Sequence, residues 1–66
     1  MKIDYDKEVD ALYIHFQEGT YDISKEVAEG IMLDFDAEGK LIGIEILDVS
    51  EKMPNKKFSD GEISLS

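Results

Sequence analysis

The residues most suggestive of chemistry are carboxylates. The stretch Asp34-Phe35-Asp36-Ala37-Glu38-Gly39-Lys40-Leu41-Ile42-Gly43-Ile44-Glu45 places acids at positions one, three and five, glycine at six and glutamate at twelve, the spacing of a calcium loop. Calcium takes six to eight oxygens, and glycine at the sixth position permits the bend that gathers them. The candidate ligands are therefore Asp34, Asp36, Glu38 and Glu45, with Glu38 standing where Asp or Asn is usual. The flanks argue for a different use. A calcium loop of this kind lies between helices, whereas both flanks here alternate apolar and polar residues with period two, so an extended 41–45 carries Glu45 away from Asp34. The leading reading is a hairpin turn whose acids face water, with divalent-metal binding as the alternative.

A second acidic series, Asp4, Asp6, Glu8 and Asp10, is in phase with the strand period and predicts one wet face of an extended segment. Paired carboxylates also serve glycoside hydrolysis, but there the pair is distinguished by spacing and unequal acidity, and nothing selects a pair among these acids. His15 is the single histidine and has no nucleophile motif for a partner; there is no GxSxG elbow, HExxH helix or glycine-rich phosphate loop. These absences, with a chain too short for a deep cleft, predict a protein that is not an enzyme and that has no cofactor.

The elements that must position these side chains are mainly strands. Leu12, Ile14 and Phe16 alternate with Ala11, Tyr13 and His15; Ile31, Leu33 and Phe35 alternate with Met32, Asp34 and Asp36; Ile42, Ile44 and Ile46 alternate with Gly43, Glu45 and Leu47. Ile3 and Tyr5 mark a short first strand. A turn at residues 36–40, with Gly39 suited to positive φ, predicts a hairpin of residues 31–35 with 41–47. Residues 21–27, charged and sparsely apolar, read as an edge strand. Asp48-Val49-Ser50-Glu51 has the form of a capping box with Asp48 as the cap, opening a single helical turn that Pro54 then stops.

The expected fold is thus mainly β, α+β at most: a small antiparallel meander of about four strands with a short C-terminal helical turn. Residues 1–51 form the single domain and 52–66 a tail, docked or mobile, with a turn at Ser59-Asp60-Gly61-Glu62 and with Ile63 and Leu65 available for docking. The predicted core is Ile3, Tyr5, Leu12, Ile14, Phe16, Ile31, Leu33, Phe35, Ile42, Ile44 and Ile46. The opposite face carries Ala11, Tyr13, His15, Met32 and Leu47, an apolar patch that calls for a partner if exposed.

Sixty-six residues with 42% hydrophobic and 35% charged positions make one domain with one small core, so association into a homodimer is expected to supplement it. There is no cysteine, which excludes disulfides and thiolate metal sites. Sixteen acids stand against seven lysines and no arginine, a net charge of −9. Residues 1–51 hold 14 of those acids and four of the lysines. Such a surface repels nucleic acid and anionic membranes and attracts basic proteins. No apolar run reaches the roughly 18 residues of a spanning helix, and a cytoplasmic location is expected.

The chain also resembles a known family. Lys2-Ile3-Asp4-Tyr5-Asp6-Lys7-Glu8-Val9-Asp10-Ala11-Leu12-Tyr13-Ile14, then Glu29-Gly30-Ile31-Met32-Leu33-Asp34-Phe35-Asp36, then Gly39-Lys40-Leu41-Ile42-Gly43-Ile44-Glu45-Ile46-Leu47-Asp48 are similar, in order and spacing, to the short prokaryotic proteins grouped as domain of unknown function 2283. The resemblance spans about residues 2–50. It implies a small cytoplasmic β-rich domain and, because some relatives are encoded beside small toxin-like proteins, an antitoxin-like role; it brings no catalytic residues. The functional expectation is a non-enzymatic protein-interaction module.

Overall fold

The computed structural model describes residues 1–58 and 61–64. Its strands are β1 (Lys2–Asp6), β2 (Ala11–His15), β3 (Ile23–Ala28), β4 (Ile31–Phe35), β5 (Leu41–Ile46) and β6 (Gly61–Ser64), with one helix, α1 (Val49–Lys52), before the last strand. All pair antiparallel in one sheet of order β3-β4-β5-β2-β1-β6. The expected class, the β4–β5 hairpin, the edge position of β3 and the short helix are all present. The strand count rises from about four to six, and the chain is not one continuous meander. The β1–β2 hairpin and the β3-β4-β5 meander are joined side by side through β2 and β5. The link between β2 and β3 must therefore cross one end of the sheet, and Gly19 in that link passes so close to Ile42 that a Cβ there would meet its Cδ1 at 2.8 Å.

The tail does not simply trail. Residues 61–64 pair with β1, Lys2 opposite Ser64 and Tyr5 opposite Gly61, and the Phe58 ring lies 5.3 Å from that of Tyr5. The turn expected at 59–62 begins outside the described residues, and Leu65 lies outside them altogether.

Register sorts the side chains into two faces. Ile3, Ile14, Ile44 and Leu33 stand opposite one another across β1, β2, β5 and β4, as do Tyr5, Leu12, Ile46 and Ile31. These two rows are the apolar face that period-two alternation predicts. The predicted core is nevertheless a face and not a sealed interior. Of its eleven residues only Leu12 and Ile42 are buried, and the other nine remain partly exposed. A single layer of six strands with one four-residue helix has too little material to cover a whole face of the sheet.

Two local expectations need correction. Asp48 does not cap α1 with its side chain; it adopts a left-handed conformation (φ 51°) and makes no capping bond. The cap comes from forty residues away: the Asp10 carboxylate accepts bonds from the Ser50 N–H at 3.1 Å and the Ser50 hydroxyl at 2.6 Å, while the Asp10 carbonyl accepts the Val49 N–H at 3.1 Å. Nor do Asp4, Asp6, Glu8 and Asp10 share one extended face. β1 ends at Asp6, Glu8 and Asp10 lie in the turn beyond it, and the Asp6 carboxylate accepts the Glu8 N–H at 3.0 Å.

Candidate functional site

The polar face is built around a carboxylate that the sheet has swallowed. Asp34 faces away from the apolar rows, because its neighbours Leu33 and Phe35 alternate onto the other side, and it stands opposite Ser24 on β3 and Gly43 on β5. It has no solvent exposure. Its Oδ1 accepts the Ser24 hydroxyl at 2.5 Å, whereas Oδ2 has no hydrogen-bond partner. An unmatched buried acceptor costs about 1–3 kcal/mol, so a site that retains one calls for an explanation.

Gly43 explains how Asp34 comes to be covered. With no side chain in the central strand, it leaves a space that the Tyr13 ring occupies: a Cβ on Gly43 would lie 2.7 Å from Tyr13 Cε1, 2.8 Å from its hydroxyl and 2.5 Å from the Ile14 carbonyl oxygen. Burial pushes the Tyr13 phenol well above its usual range, reinforced by the nearby carboxyls of Asp34 and Glu45 and by Tyr21. The phenol therefore stays protonated. Glu45, directly opposite both Tyr13 and Met32, is also pushed up, first by burial and then by the neighbouring Asp34 carboxyl.

The network continues toward the other edge. The Tyr13 and His15 rings lie 4.2 Å apart, and His15 Nε2 is 3.1 Å from Asp4 Oδ2, both side chains being more than one-third exposed. Beside this row, on the same face, is an open groove of about 620 Å³ whose lining includes Asp4, Asp6, Glu8 and Glu45 together with Val9 and Leu47. None of the residues lining it is basic.

Ala11, Tyr13, His15 and Met32, which the alternation assigned to one surface, do share the polar face by register, and Leu47 follows Glu45 by two residues and is 40% exposed. The four candidate metal ligands are divided. Asp34 and Glu45 belong to the network, whereas Asp36 is used by the turn, its Oδ1 accepting the N–H groups of Glu38 at 2.9 Å and Lys40 at 2.8 Å. Glu38 lies in that turn with Lys40 Nζ at 3.7 Å. Among the described residues no group of three or more His, Asp or Glu side chains converges on a point that could hold a metal. Sequence reasoning missed the Asp34 network; its one signal was a glycine, Gly43, on the outward phase of an otherwise bulky strand.

Comparison with known proteins gives a family without an activity. A family model described as protein of unknown function (DUF2283) matches residues 2–50. An uncharacterised protein of Methanocaldococcus jannaschii is 41% identical over 58 residues, which are 88% of this chain and 49% of that protein. The chain thus spans about half the length of that curated relative. No solved structure matches. Among the described residues no helix is long and apolar enough to cross a membrane.

Proposed function

The chain belongs to the DUF2283 family, and since no activity comes with that membership, we propose from its geometry that it is a non-enzymatic protein-interaction module. The observation that carries this reading is the apolar face, on which nine of eleven alternating residues stay partly exposed. The two longest extents of the molecule, 36 and 28 Å, leave room on one face for the roughly 800 Å² per partner that stable interfaces bury. A second copy of the chain is the occupant that fits, because a small sheet without disulfides gains its missing layer by pairing with itself. The other face and the rims carry most of a net charge of −9. That field favours a basic protein, of the kind an antitoxin-like role in the cytoplasm would meet, and speeds its approach.

Light scattering tests self-association, and pull-down from native lysate at low and moderate salt tests the partner. A dimer, together with a stoichiometric basic protein released at the higher salt, supports the reading. A monomer recovered alone at both salt levels contradicts it.

A further inference from the structure

We propose that Lys25 keeps the free edge of β3 from adding a second copy of the chain, so that self-association is confined to the apolar face. The inference rests on the self-association reading above and names the surface that stays out of it. β3 ends the sheet on one side, and every one of its residues is exposed. Such an edge, with Ile23 and Val27 53% and 56% exposed, offers unpaired N–H and C=O groups to any further strand. Lys25 works against that. It stands opposite Leu33, between Ile23 opposite Phe35 and Ala28 opposite Ile31, and so lies on the apolar face, where alternation calls for an apolar side chain. Among the described residues no carboxylate bridges it, so no ion pair among them accounts for a charge at this place.

Symmetry makes that charge decisive. Two β3 strands related by a two-fold axis normal to the sheet run antiparallel, and the residue on the axis meets its own counterpart. With Lys25 on the axis two ammonium groups oppose each other; with Glu26 two carboxylates do; with Ser24, Asp22 opposes Glu26. Like charges directly opposite are destabilising. A register centred on Ile23 engages only Ile23–Lys25 of β3, and one centred on Val27 meets the register shift between Glu26 and Ala28, a bulge that breaks regular pairing.

The test is the solution mass of the full chain by static light scattering over a concentration series, with circular dichroism and amide exchange on the same samples. Lys25→Val leaves no like charges opposite each other in the register centred there. It should raise the mass at least about twofold over the unaltered protein at high micromolar concentration, with exchange slowed along residues 23–28. Lys25→Thr removes the charge without adding a large apolar side chain and should associate in the same way, which separates strand pairing from collapse of a misfolded chain. Lys25→Glu restores a clash of like charges on the axis and should scatter as the unaltered protein does. So should Lys40→Val, which makes the same change of charge in the β4–β5 turn. An unchanged mass for either neutral variant at position 25 would overturn the proposal, as would an equal rise from Lys25→Glu or Lys40→Val. Face pairing is decided separately by the mass of the unaltered protein, whereas the edge is judged by the change that each substitution makes.

Discussion

Glu45 and Asp10 give this small sheet two opposite responses to pH. A carboxyl whose acidity is weakened on folding contributes stability below its unfolded pKa, and that contribution is lost as pH rises through the folded value. Glu45 is such a group, raised by burial and by Asp34. Asp10 is the reverse: its bonds from Ser50, then from Tyr5, lower it, so its contribution is present above the unfolded value and lost as pH falls through the folded one. Glu45→Gln, with a neutral amide that can donate where a carboxylate cannot, should raise stability at neutral pH by about 0.5–1.5 kcal/mol and flatten the loss as pH rises, as measured by urea denaturation across pH. Gly43→Ala should do the opposite. Its methyl would meet the Ile14 carbonyl and the Tyr13 ring, and a cost of about 1–3 kcal/mol is expected, with altered Tyr13 resonances. The alternation of Tyr13 and His15 on one face was legible in the sequence. The burial of Asp34 was not, because it depends on a ring reaching over Gly43 from another strand.

The strands and the helix owe their placement to different distances along the chain. β4 and β5 are local: a short turn with Gly39 at φ 84° and the Asp36 side chain accepting two backbone N–H groups closes them, and both signals are visible in residues 36–40. Because Asp36 is committed to that turn, calcium titration should give no saturable amide shifts across residues 34–45; saturation there would restore the metal reading. α1 depends on a residue far upstream. The capping pattern at Asp48 was legible but misassigned, since the start of α1 docks against the β1–β2 turn and receives its cap from Asp10. Asp10→Asn should therefore lower the melting temperature and remove the acid-side share of the pH dependence, as followed by circular dichroism at several pH values. β6 was weakly marked, its Ile63 standing in a polar stretch, and its pairing with β1 is fixed by a free edge that only the assembled sheet presents.

For the whole molecule, one layer of strands leaves an apolar face to be covered. Leu33 stands on that face at the midpoint of β4, the strand next to the β3 edge, with Lys25 opposite it, so Leu33→Glu puts a charge in the expected interface while giving it a neighbour of opposite sign within the same chain. The most direct measurement is static light scattering at high micromolar concentration on the unaltered protein and on Leu33→Glu, with circular dichroism to establish that both are folded. The account predicts twice the 7.5 kDa chain mass for the first and a single folded chain for the second. A folded 7.5 kDa species from the unaltered protein would contradict it.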